Sequence, residues 1–179
     1  MNNLLKMKVY FIGLLFCLMV TFLQCNTSSE PERLMNGVKF PNIEETDTLG
    51  NLIAVNSFEN KIVLVDFWAS WCKPCLKAFP EMEKMYQKYK DAKIGNADGF
   101  EIYSVSLDES RKAWERALKR QNPSWKYQFI DTTAFTSKYI EQLQFEEIPA
   151  YFLVDERGII IGINQTFAWM DYELRRRME

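Results

Sequence analysis

Histidine is absent from the 179 residues, which removes the imidazole ligand that most zinc and copper sites rely on. Cysteine is scarce: Cys17, Cys25, Cys72 and Cys75 are the only four, and Cys72 and Cys75 make the single C-x-x-C pair. A structural zinc site needs about four ligands, so zinc would require a dimer sharing them. There is no basic surplus, with 22 Lys and Arg against 24 Asp and Glu and a net charge of −2, and nothing therefore calls for nucleic acid. The apolar run Val9–Leu23 falls short of the about 20 residues that a membrane span needs. What remains, 47% hydrophobic and 26% charged positions, is the balance of one ordinary globular domain.

Lys6 and Lys8 precede Val9–Leu23 as a charged n-region precedes the apolar core of an export segment. Phe22-Leu23-Gln24-Cys25 ends that run on a cysteine, and the polar stretch Asn26–Glu32 follows. The arrangement resembles a bacterial lipoprotein signal, which implies a signal peptide over residues 1–24, lipidation of Cys25, a flexible tether over 25–36 and a folded domain over 37–179. Leu23 and Gln24 are larger than the residues usual before such a cysteine, and an uncleaved N-terminal anchor is the competing reading. Both tether the domain to a membrane on the periplasmic side of the cell envelope. Beyond Cys25 only Cys72 and Cys75 remain, too few for a disulfide framework.

Those two cysteines sit where a strand pattern gives way to a helical one. Ile62–Trp68 is apolar except for Asp66, as in a central strand covered on both faces. From Lys73 the residues Cys75, Phe79, Met82, Met85, Tyr86 and Tyr89 recur at intervals of mostly three and four, predicting a helix to about Lys90 with Pro80 inside it. Cys72 then lies at the helix N-terminus, where unpaired N–H groups and the dipole favour a thiolate. It is expected to be the exposed thiol and Cys75 the shielded, resolving one. Pro74 suits the first turn. A purely structural disulfide is the plain alternative, but closing so short a loop removes little chain entropy.

Elsewhere the pattern predicts a hairpin (43–48 and 52–55), strands at Phe100–Leu107, Tyr127–Ile130, Ala150–Val154 and Ile159–Ile163, and helices at 111–120, 134–143 and 167–177. The cations Arg175-Arg176-Arg177 are read as complementing a helix C-terminus rather than as an anion site. The element order implies an α/β fold with helices on both faces of the sheet.

The run Val65-Asp66-Phe67-Trp68-Ala69-Ser70-Trp71-Cys72-Lys73-Pro74-Cys75 resembles the active-site stretch of thioredoxins, and Ile148-Pro149 resembles their cis-proline. With the lead-in from Gly37 to Gly50 and Ser104–Asp108, the chain is similar to the membrane-tethered TlpA and ResA type of extracytoplasmic thiol-disulfide oxidoreductase over about residues 37–179. The resemblance implies a thioredoxin fold, a central mixed β-sheet flanked by helices on both faces, with an N-terminal β-hairpin extension. It implies Cys72 as nucleophile, Cys75 as resolving thiol and Asp66 as the buried carboxylate that exchanges the proton of Cys75. Trp68, Trp71, Lys73 and Pro74 would support the site, and Ile148 and Pro149 would bind substrate.

No cofactor is implied beyond the Cys72–Cys75 disulfide. The partners implied are the thiols and disulfides of exported proteins and a membrane electron donor, with the protein itself a monomer. Two departures stand out: Ala78 occupies a position where many ResA-type members carry glutamate, and Lys73 replaces a small or acidic residue. Glu146 and Glu147, if they face the cleft, would oppose the charge of Lys73. A reductant of protein disulfides is the leading function. An oxidant or isomerase, and a thiol- or metal-binding module, are the alternatives; Ala69 stands where peroxiredoxins need threonine, and copper carriers of this fold use a histidine.

Overall fold

The computed structural model describes residues 35–47 and 50–179. The expected signal peptide, the lipidation candidate Cys25 and most of the 25–36 tether lie outside the described residues. Among those described, the strands are β1 (Glu44–Thr46), β2 (Leu52–Ala54), β3 (Ile62–Trp68), β4 (Phe100–Ser106), β5 (Tyr127–Ile130), β6 (Ala150–Val154) and β7 (Ile160–Ile163). The helices are α1 (Lys73–Tyr89), α2 (Arg111–Gln121), α3 (Lys138–Leu143) and α4 (Phe167–Arg176). β1 and β2 form an antiparallel pair of their own, and the main sheet runs β5-β4-β3-β6-β7. β3, β4 and β5 are parallel, whereas β6 and then β7 are antiparallel to their neighbours.

β3 is buried at all seven positions, and its period of two divides the core. Ile62, Leu64 and Trp68 pack with Cys75, Phe79 and Met82 of α1, Trp114 of α2 and Met170 of α4. Val63, Val65 and Phe67 pack on the other face with Tyr139 and Leu143 of α3 and with Phe40 and Ile43 of the N-terminal segment. Each large apolar side chain taken fully out of water contributes roughly 1.5–3 kcal/mol. Asp66 belongs by parity to the face that carries α1, and so to the cysteine side.

The far end of α1 is held by side chains. Tyr89 Oη donates to Asp171 Oδ1 of α4 at 2.7 Å, and Lys61 Nζ donates to the Lys90 carbonyl at 3.4 Å. Gly99 has φ +144, and a Cβ there would collide with the Lys90 carbonyl. The three C-terminal arginines are met by carboxylates of their own helix, Arg175 by Asp171 and Arg176 and Arg177 by the largely buried Glu173, which leaves them ill placed as an anion site. The β1–β2 pair is pinned to the domain by Tyr139 Oη, which donates to the Glu44 carbonyl at 2.6 Å, and by Tyr103 Oη, which donates to the Ile53 carbonyl at 2.9 Å.

Two elements differ from expectation. The helix expected over 134–143 is broken into a 3-10 turn, Ala134–Thr136, and α3. Asp131 Oδ1 accepts the Thr133 amide at 2.9 Å, Ala134 sits at φ +51, and Ser137 Oγ caps a fresh start by accepting the Tyr139 amide at 3.1 Å; local side-chain bonds here outcompete the helix. Ile159 leaves β7 to bridge with Lys39, beside an irregularity in the β6–β7 register between Leu153 and Val154.

Candidate active site

The parallel strands β3, β4 and β5 deliver their C-terminal ends to one edge of the sheet, where ligand sites of open α/β folds form. From β3 the chain runs through Ala69, Ser70 and Trp71 into α1. The Cys72 amide donates to the Ala69 carbonyl at 3.0 Å, a tight turn that places Cys72 as the helix N-cap. Its sulfur accepts the Cys75 amide at 3.2 Å, the bond that a serine or aspartate oxygen makes at other helix starts. Cys72 and Cys75 are joined by a disulfide, with Cα atoms 5.3 Å apart. The expectation of an exposed Cys72 is corrected: it is 4% exposed and Cys75 2%. In the oxidised pair both sulfurs join the core cluster of α1, against which the half-buried Ile148 also packs. The Ile148 carbonyl oxygen lies 3.8 Å from Cys72 Sγ, and the Ile148–Pro149 peptide is cis.

Asp66 is 1% exposed and accepts a hydrogen bond from Ser104 Oγ of β4 at 3.0 Å. Ser104 Oγ in turn accepts Trp125 Nε1 at 3.0 Å. Burial pushes the Asp66 carboxyl up to about 7, against the smaller opposing effect of the Ser104 hydrogen bond. Tyr151 stands directly opposite on β6, and its phenol is pushed up by burial and by the neighbouring Asp66 charge. A carboxyl balanced near neutrality, on the sheet face that packs Cys75, can take up or release one proton at little cost.

A redox disulfide capping a helix beside a cis-proline is a thioredoxin arrangement, and the thioredoxin-like family profile matches residues 60–160. The chain belongs to the thioredoxin-like family. It is 30% identical over 133 residues to a thiol-disulfide oxidoreductase ResA of Bacillus cereus, covering 74% of this chain and 71% of that one. Among solved structures, the thioredoxin domain of a thiol-disulfide oxidoreductase from Bacteroides vulgatus superposes with a TM-score of 0.68 at 29% identity, covering 79% of this chain and 99% of that domain. A thiol:disulfide interchange protein from Bacteroides sp. matches with a TM-score of 0.68 at 28% identity, over 80% of this chain and 92% of the other.

The remaining candidates take distinct places in this thioredoxin-like site. Trp68 is fully buried and meets Phe79 edge-on, with ring centroids 4.9 Å apart, so it supports α1 from below. Trp71 is 54% exposed, and Lys73 and Pro74 point to solvent. Glu146 and Glu147 are exposed on the segment before Pro149. Among the described residues no cluster of three or more cysteines and carboxylates is arranged to hold a metal ion.

Sequence reasoning missed Asp108 as part of the site. This carboxylate is 2% exposed and accepts Ser70 N at 2.8 Å, Ser70 Oγ at 2.6 Å and Ser106 Oγ at 2.7 Å. It clasps the turn two residues before Cys72 to the end of β4. Its only signal was an acidic residue directly after a strand, which reads equally well as the start of α2; the actual N-cap is Ser110. Ser104 was also missed, because its contact with Asp66 depends on the register of β3 with β4.

Proposed function

We propose that the protein is a thiol-disulfide oxidoreductase that reduces disulfides of exported proteins outside the cytoplasm, in cytochrome maturation or in maintenance of envelope thiols. The observation that carries the thiol-disulfide exchange is the Cys75 amide at 3.2 Å from Cys72 Sγ, a donor aimed at the atom that bears charge when the pair is reduced; the reducing direction rests on the resemblance to ResA-type proteins. In the reduced state the Cys72 thiolate, steadied by that amide and the helix dipole, attacks one sulfur of a substrate disulfide. The substrate S–S bond breaks, the Cys72–substrate bond forms, and the other substrate sulfur leaves as a thiolate. Cys75 then loses its proton to Asp66 and attacks Cys72 Sγ, which expels the second substrate thiolate and restores Cys72–Cys75. Two electrons pass from the dithiol to the substrate, and two protons end on the substrate thiols or in solvent. No cofactor takes part; a membrane electron donor would return the pair to the dithiol.

Support for work outside the cytoplasm is the export-type segment and Cys25, which would attach the domain to a membrane as a monomer. Among the described residues no helix is long and apolar enough to cross one. The fold itself serves oxidants as well as reductants, so direction is tested by the potential of the Cys72–Cys75 pair in glutathione buffers, read by tryptophan fluorescence. A value at or below about −220 mV is the expected result. A value near −120 mV would instead make the protein an oxidant of newly exported chains.

A further inference from the structure

Two surface features flank the disulfide on opposite sides, and neither has a role in the electron-transfer steps. On the β5 side, the break between β5 and α3 presents Phe135 at 48% exposure, its ring centroid 5.9 Å from that of Trp71. Two of the large exposed apolar side chains thus meet beside the residue that precedes Cys72. On the β7 side, a groove of about 830 Å³ has a floor of Leu143, Phe145, Phe152 and Ile163 and a lip of Glu146 and Glu147. Among the described residues no Lys or Arg lines it, and neither glutamate forms an ion pair or hydrogen bond with a described residue.

The topology puts both at the edge of the sheet where Cys72 sits. Phe135 follows the C-terminal end of β5, which is parallel to β3. The groove is closed by Ile163 at the end of β7, paired with Phe152 in the middle of β6, and Glu146 and Glu147 lead directly into Ile148, whose carbonyl lies 3.8 Å from Cys72 Sγ. A chain that brings its cysteine to Cys72 must lie across this line.

Resting on the oxidoreductase reading above, we infer that Trp71 with Phe135, and Glu146 with Glu147, are specificity-determining surfaces for a substrate segment carrying a bulky apolar residue on one side of its cysteine and a basic residue on the other. The aromatic pair supplies an open π-face of the kind that adds to simple area burial. Two carboxylates with no cation of their own complement a Lys or Arg and repel an acidic chain, mostly through encounter rate and in a salt-dependent way.

The test uses the reduced full chain and oxidised dimers of short cysteine peptides that differ only in the flanking residues: Phe or Ala on one side, Lys, Ala or Glu on the other, in both orders. Each stopped-flow rate is divided by that for hydroxyethyl disulfide, which has no flanks. We expect Phe to raise the ratio about five-fold over Ala, Lys to raise it about three-fold and Glu to lower it by a similar factor, with the charge effect lost in high salt. Phe135→Ala should erase the Phe advantage and Phe135→Leu retain part of it, while the Glu146→Gln/Glu147→Gln pair should erase only the charge preference. Equal ratios for all peptides, or preferences that survive the matching variants, overturn the inference. Failure of wild type to reduce even hydroxyethyl disulfide removes the oxidoreductase reading itself, and this inference with it.

Discussion

Asp66 and Asp108 are both sealed from solvent, at 1% and 2% exposure, yet they are held in different ways. Asp66, in mid-strand among apolar neighbours, receives one hydrogen bond, from Ser104, and burial drives its carboxyl up to about 7. Asp108, just past the end of β4, receives an amide and two hydroxyls, and all three bonds tie it to the turn before Cys72 and to the strand it follows. The lesson is that two carboxylates buried alike can differ in what reaches them: Asp66 has one donor and a carboxyl raised by burial, as a group exchanging a proton would need, whereas Asp108 is spent on three bonds that hold a turn.

Asp66→Asn breaks the comparison hardest. It should slow resolution of the Cys72 mixed disulfide by about 100-fold while leaving the first attack within a few-fold, as rapid acid quench with thiol labelling would reveal. Loss of both steps together would deny Asp66 its proton-carrying role. The same variant has a thermodynamic signature. Because the folded carboxyl is raised to about 7 from an unfolded value of about 4, the native state holds a proton across that window that the unfolded chain has released. Stability is therefore greatest at the acid end, falls as pH rises from about 4 to 7, and stays low above it, by up to about 4 kcal/mol. Urea titrations at pH 5 and pH 8 should show this fall in the natural protein and its absence in Asp66→Asn.

Asp108→Ala comes next, with a loss of about 3 kcal/mol in urea titrations, since it strands an amide and two hydroxyls around the Cys72 turn. A loss below about 1 kcal/mol would mean that the three bonds to Asp108 do not hold the turn. Ser104→Ala sharpens the contrast from the other direction. It removes the one donor to Asp66 and should move that carboxyl further up, visible by carbon NMR of the labelled side chain, at a cost of about 1 kcal/mol. Tyr139→Phe, remote from both aspartates, should cost about 1 kcal/mol or less and show up as faster hydrogen exchange in β1 and β2, with the potential of Cys72–Cys75 unchanged.

Much of the fold was legible in the chain because its signals are local. The bounds of β3, β5 and β6 follow from runs of apolar and β-branched residues between breakers, and α1 follows from its spacing of apolar positions with Pro74 at its start. The break before α3 was illegible, since Phe135, Tyr139, Ile140 and Leu143 keep a helical period while Asp131, Thr133 and Ser137 compete for the backbone through bonds that period does not report. Within the site, Cys72 and Cys75 could be named from their motif, and Pro149 only through its resemblance to the cis-proline of thioredoxins. Asp108 could not, because its partner Ser70 lies 38 residues away in sequence and meets it only through the parallel pairing of β3 with β4.

The sequence by itself determined that one pair of thiols would stand at the start of a helix behind a buried strand, and that a lone carboxylate would interrupt that strand; composition and local periodicity suffice for both. Only the tertiary structure decided that the oxidised pair is covered, that Asp66 has a single donor and Asp108 three, and that an aromatic pair and an acidic groove flank the disulfide. Solvation and hydrogen bonding are set by what the fold brings from distant segments, and these are the quantities that place a proton or select a partner.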